Sequence, residues 1–224
     1  MAPGPADHVV ERLRNLCGLA MTTLPAFGAG LSVVSTDRQY SLLTAADPAS
    51  ERMEELQFVL GEGPCVDAAI SRRPVLVSDL VREGPLRWPA YASAMGEAGV
   101  SAVFAFPLQI GAVQLGVLDF FRAQPGDLSG PELARAFALA DAALAILLDK
   151  DDPAADGPDP DGMPVGPSEL FQAQGMVMVQ IGGSLTEAMS RIRAYAYAEN
   201  RRLIDVARDV VSRRLRFDAD EKSM

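Results

Sequence analysis

Histidine is almost missing: among 224 residues there is one, His8. Its place near the start leaves no basis for a His-based catalytic triad or a His-containing metal site. Cysteine is nearly as scarce. Cys17 and Cys65 are the only two, too few for a disulfide framework. No run reaches the ~18 to 20 apolar residues a membrane span requires. The first residues, Met1 to Asp7, carry neither a basic stretch nor an apolar one, so no secretory leader is read there. Together these absences predict a cytoplasmic protein with no membrane partner. Neither a G-x-x-x-x-G-K-[ST] nor a G-x-G-x-x-G phosphate loop occurs. The carboxylates are scattered singly, and Glu54-Glu55 reads as a solvated helix face. With no acid–base constellation, the chain is not expected to be an enzyme.

Cations are the minority charge, 20 Lys+Arg against 30 Asp+Glu. Their distribution is uneven. Residues 1–166 hold 11 basic and 22 acidic residues, whereas 167–217 hold 8 arginines and 5 acids. A small positive module behind an acidic one suits an anionic partner for that module. Hydrophobic residues make up 49%, enough for a sizeable core.

The chain opens on an amphipathic helix over 7–24, with Val9, Leu13, Leu16, Cys17, Ala20 and Leu24 at helical spacing. Strands are expected at Gly30–Ser35 and Gln39–Ala45, joined by Thr36-Asp37-Arg38 as a hairpin loop. Pro48 opens a second helix and Gly61-Glu62-Gly63-Pro64 breaks it. Then follow a short helix Cys65–Arg72, a strand Pro74–Leu80, a helix Trp88–Ala98, strands Val100–Ile110 and Gln114–Arg122, and a helix Pro131–Leu148. The order predicts an α+β fold, a largely antiparallel sheet flanked by helices, over 1–148. Residues 149–167 are dense in Pro, Gly and Asp and read as a flexible linker. Three helices are expected in 168–217: one capped by Ser168 and stopped by Gly182-Gly183; one entered through the capping box Ser184-Leu185-Thr186-Glu187 and ending near Asn200; and one over about Arg202–Leu215. A tail, 218–224, remains.

Across that three-helix segment, Ala173-x-Gly175-Met176-Val177-Met178, Gly182-Gly183-Ser184-x-x-Glu187-Ala188, Ile192-Arg193-x-x-Ala196, Asn200-Arg201-x-Leu203 and Val206-Ala207-x-x-Val210-Val211 occur in order. The set resembles the ANTAR family of RNA-binding transcription antiterminators. Residues 7–148 resemble a GAF domain of the kind found beside ANTAR modules in actinobacteria, through Leu60-Gly61-Glu62-Gly63-Pro64-Cys65, Pro74-Val75-Leu76-Val77-Ser78-Asp79-Leu80, Arg87-Trp88-Pro89 and Pro107-Leu108. The resemblance implies a GAF-like sheet followed by a small all-α domain. It also implies a signal-responsive regulator that binds hairpins in nascent RNA and prevents termination. Two copies acting on paired hairpins imply a homodimer.

The residues offer matching chemistry. Guanidinium forks suit phosphates and aromatic rings stack on unpaired bases. Arg191, Arg193, Tyr197, Asn200, Arg201 and Arg202 lie within one helix and its exit, with 193, 197 and 200 on one face. The family resemblance adds Gln174, where many relatives carry Lys. A second group, Arg208, Arg213, Arg214 and Arg216, suits either nucleic acid or the end of a helix dipole. In the first domain the resemblance implies a sensor pocket, with Trp88, Tyr91, Phe104, Phe106 and Asp119 as candidates, for a small-molecule effector; no cofactor is required. Cys65, at a helix start, is a redox candidate if its thiol pKa is lowered, and a core residue otherwise. The alternative function is a protein-interaction module that docks a signalling protein through an exposed Met176–Val179 run.

Overall fold

The computed structural model describes residues 5–34, 40–149, 168–199 and 201–217. The expected hairpin loop at 36–38, the linker from residue 150 onward, the side-chain cap of Ser168, Asn200 and the tail from 218 lie outside the described residues. The chain forms two compact units, Met1–Val165 and Gly166–Met224.

The first unit is built on five antiparallel strands: β1 (Gly28–Val34), β2 (Tyr40–Ala45), β3 (Val75–Val77), β4 (Ala102–Ile110) and β5 (Val113–Arg122). They lie in the order β2-β1-β5-β4-β3. β4 and β5 read as nearly continuous apolar runs because both faces of the sheet are covered. Val103, Phe104, Ala105 and Phe106 are each buried in turn.

Strand alternation sends side chains to two separate cores. Ala29, Leu31, Phe104, Phe106, Leu118 and Phe120 face α1 (Pro5–Thr23) and α6 (Gly130–Leu147). Val77, Val103 and Phe121 face the opposite side, where they meet Met53 and Trp88, Tyr91 and Met95. That side is covered by α2 (Pro48–Leu60), α3 (Pro64–Ser71), α4 (Leu80–Arg87) and α5 (Pro89–Glu97).

Local chemistry explains the boundaries. The Asp47 side chain accepts from Ser50 N at 2.7 Å and Pro48 fills the first turn of α2, where its missing N–H costs nothing. Gly61 ends α2 in the left-handed conformation, φ 68°. The one helix absent from the sequence reading is α4. Its Gly84-Pro85 pair reads as a loop, but Asp79 caps it through Arg82 N at 3.1 Å, and Gly84 lets Ala92 approach where a Cβ would stand 2.7 Å away.

The second unit holds α7 (Ser168–Ile181), α8 (Leu185–Ala198) and α9 (Leu203–Val211). Gly182, φ 64°, stops α7. The Ser184–Glu187 capping box forms as expected, with Ser184 N donating to Glu187 Oε2 at 2.7 Å. Ala173, Val177, Ala188, Ile192, Ala196, Leu203, Val206 and Val210 are buried. The third helix ends earlier than expected, at Val211. Beyond it the chain turns back: Phe217 N donates to Gln180 Oε1 at 2.8 Å, and the Phe217 ring meets Tyr195 edge-on at 5.6 Å.

Candidate functional sites

The face of the sheet covered by α2–α5 contains a polar cluster assembled from four elements. On β1 the residues facing it are Gly28, Gly30 and Ser32, small enough to admit α2. A Cβ on Gly30 would lie 2.3 Å from Glu54 Cγ. In register, Asp119 of β5 sits between Gly30 of β1 and Ala105 of β4. These small neighbours leave room for the Asp119 carboxyl to meet Glu54 of α2 and Cys65 of α3. Their oxygen and sulfur atoms all lie within 4.8 Å of one another.

The cluster is sealed. Glu54 is 2% exposed and Asp119 is fully buried. Ser32 Oγ donates to Glu54 Oε2 at 3.2 Å and Gln57 Nε2 donates to Asp119 Oδ2 at 3.0 Å. Glu54 Oε1, Asp119 Oδ1 and the Tyr91 hydroxyl have no hydrogen-bond partner. Burial and the facing Asp119 push the Glu54 carboxyl well above its ordinary range. Burial raises Asp119 to about 6, with contacts to Glu54, Cys65 and Gln57 opposing it. Two carboxyls this close and out of water resist ionising together.

The Gly61-Glu62-Gly63-Pro64-Cys65 segment builds this corner. Glu62 Oε1 accepts from Ala90 N and Tyr91 N, at 2.8 and 2.9 Å, and so caps α5 from a distance. Gly63, φ 138°, lies under Gln57, whose Oε1 would stand 2.6 Å from an added Cβ. The same Oε1 accepts from Cys65 N at 2.7 Å. Gln57 thus holds both Cys65 and Asp119 in place.

Several expectations change here. Glu54 is a buried group, not a solvated helix residue, because β1 is notched by glycine where α2 crosses it. The helix-start position does not activate Cys65. Burial, followed by the charges of Asp119 and Glu54, raises its thiol pKa well above the ordinary value. The five sensor-pocket candidates divide between the two faces. Trp88, Tyr91 and Asp119 share the α2–α5 side, whereas Phe104 and Phe106 face α1 and α6, where Phe106 meets Phe137 edge-on at 5.2 Å. Period-2 alternation placed both Phe side chains opposite Val103 and Ala105, a parity readable from the strand itself. The residues missed in the sequence are Glu54, Gln57 and Ser32. Their signal was the Gly-x-Gly-x-Ser alternation of Gly28 to Ser32.

In the second unit, Tyr197 is 58% exposed and Arg202 is exposed at the N-cap of α9. Arg191 and Arg193 are half-buried, and burial lowers the Arg193 pKa. Arg201 pairs with Asp209 at 2.6 Å, and Arg214 pairs with the same carboxylate at 2.7 Å. Gln174 is buried and donates to Leu185 O at 2.9 Å, a brace between α7 and α8 that leaves it no access to a phosphate. The Met176–Val179 run is not an exposed stripe, since Val177 is buried in the helix core and only Val179 is fully open. Arg208, Arg213, Arg214 and Arg216 are all exposed.

Among solved structures, the chain is similar to a two-component sensor histidine kinase domain from Sinorhizobium meliloti (16% identity, TM-score 0.48, covering 60% of this chain and 86% of that one). It is also similar to a free methionine-R-sulfoxide reductase from Thermoplasma acidophilum (14%, 0.49, 64% and 94%). A third likeness is to the GAF domain of a phosphoenolpyruvate-protein phosphotransferase from Coxiella burnetii (20%, 0.48, 66% and 85%). No curated protein matches. No described helix is long and apolar enough to cross a membrane. The GAF domain model matches residues 6–149 and the ANTAR domain model residues 169–211, so the chain belongs to the GAF domain family and carries an ANTAR domain behind it.

Proposed function

We propose that this protein is a signal-responsive cytoplasmic regulator of transcription elongation. Its ANTAR domain binds hairpins in nascent RNA and keeps a terminator from forming, and its GAF domain controls that activity by sensing an effector. The observation that carries the reading is the order of the two domains, a GAF match at 6–149 followed by an ANTAR match at 169–211.

The RNA face is centred on Tyr197 and Arg202. Tyr197 offers an open ring to an unstacked loop base, and Arg202 offers a guanidinium to the backbone beside it. Arg191 and Arg193, on the same helix as Tyr197, add charge, as does Arg201 while tied to Asp209, and Asn200 is included from its place in the sequence alone. Gln174 acts from behind by fixing α7 against α8. A homodimer engages two adjacent hairpins, the second binding event gaining from the first through effective concentration.

The test is transcription in vitro through a terminator whose stem overlaps the second of two short hairpins. Added full-length protein should raise read-through, and Tyr197→Ala with Arg202→Glu should abolish that gain. Unchanged read-through with a folded wild-type protein would refute the reading.

A further inference from the structure

We propose that Glu54, Cys65 and Asp119 form a binding site for a divalent transition-metal ion of the zinc type, buried between the sheet and α2–α3 of the GAF domain. The site goes beyond the RNA reading and stands or falls apart from it.

The donor set is chemically suited. A thiolate with two carboxylates is a recognised mixed environment for borderline ions, which bond sulfur at about 2.3 Å and oxygen at about 2.0–2.2 Å. Tetrahedral bonding at those lengths places donor atoms roughly 3.3–3.6 Å apart. The three donors already lie within 4.8 Å of one another, so a closure of at most about 1.5 Å by side-chain movement brings them to bonding separations.

Three observations point to an occupant. Glu54 Oε1 and Asp119 Oδ1 are buried without a donor. The Tyr91 hydroxyl, on the same side of the sheet, is equally buried and unpartnered. Gln57, bonded to the Asp119 carboxylate and to the backbone of Cys65, supplies the outer hydrogen bonding that orients ligands at metal sites. As it binds, the ion displaces to solvent whatever protons its ligands carry.

The experiment uses full-length protein stripped with chelator. Zn²⁺ or Co²⁺ is supplied both to the folded chain and during refolding, because the site is sealed. Expected are one tightly held ion per chain, a raised Tm with Zn²⁺ but not Mg²⁺, and a near-ultraviolet thiolate-to-cobalt absorption band. Cys65→Ser should remove the band and Cys17→Ser should leave it. Asp119→Asn and Glu54→Gln should each weaken Zn²⁺ at least tenfold while circular dichroism stays that of the wild type. Gln57→Leu should weaken it by about 10–100-fold. A folded wild type that holds no ion by either route, or a cobalt band that survives Cys65→Ser, overturns the proposal.

Discussion

Gly30 and Gly18 show how one residue type carries opposite consequences. An alanine Cβ at Gly30 would stand 2.3 Å from Glu54 Cγ, whereas at Gly18, inside α1, nothing lies within 4 Å. Gly30→Ala should therefore destabilise the GAF domain by about 1–3 kcal/mol through overpacking. Gly18→Ala should stabilise it by up to about 1 kcal/mol through helix propensity. Thermal unfolding of the two variants checks both, and a lower Tm for Gly18→Ala with an unchanged one for Gly30→Ala would count against the described packing. This scale is where sequence reading did least well. Glu54 sits beside Glu55 in an acidic helix, and nothing local says that one is sealed while its neighbour is only partly buried. Only the notch made by a strand some twenty residues earlier decides it. Asp119 entered only as one of the sensor-pocket candidates that the family resemblance implied. Its partners came from two other elements and were invisible until those elements packed.

Elements were easier to read, because caps and breakers are local. Pro48, Gly61, Gly182 and the Ser184–Glu187 box act within one turn of the residues that signal them. Removing the α2 cap by Asp47→Ala should cost about 1 kcal/mol, seen as a lower Tm. Helix α4 went unread because Gly84-Pro85 weighs against a helix locally, while burial of Leu80 and Gly84 against α5 favours it. The last helix was read too long because its arginine-rich end, to Leu215, keeps helical composition after the backbone has turned. There Asp209 binds Arg201 and Arg214, which hold its carboxyl below the ordinary value of 3.8. A depressed acid pKa stabilises the fold above the unfolded-state value, and that contribution is lost as pH falls through the lower folded-state value. The ANTAR domain should therefore keep its helicity at neutral pH and lose stability as pH drops below about 4. Asp209→Asn should be less stable at pH 7 and less sensitive to acid. A parallel acid response in wild type and variant, followed by circular dichroism, would contradict the pairing.

At the scale of the whole molecule, the order of elements announced an antiparallel α+β fold and then three helices, and the structure has both, with α4 added and the last helix shorter. Period-2 and period-3.6 patterns survive in a single sequence, whereas the convergence of Glu54, Cys65 and Asp119 depends on the register Gly30↔Asp119↔Ala105. Function follows the same division. The acidic sensor domain and the arginine-bearing second domain are separable in charge, so RNA affinity should belong to the second and respond to salt. The direct test is a titration of the full-length protein against an RNA with two adjacent short hairpins and against an unstructured RNA of equal length, across a salt series. The account predicts selective binding to the hairpins, a steep fall with salt, and a shallower salt slope with weaker binding when Tyr197→Ala and Arg202→Glu are combined. Equal, weak binding to both RNAs, unchanged by that double variant, would contradict it.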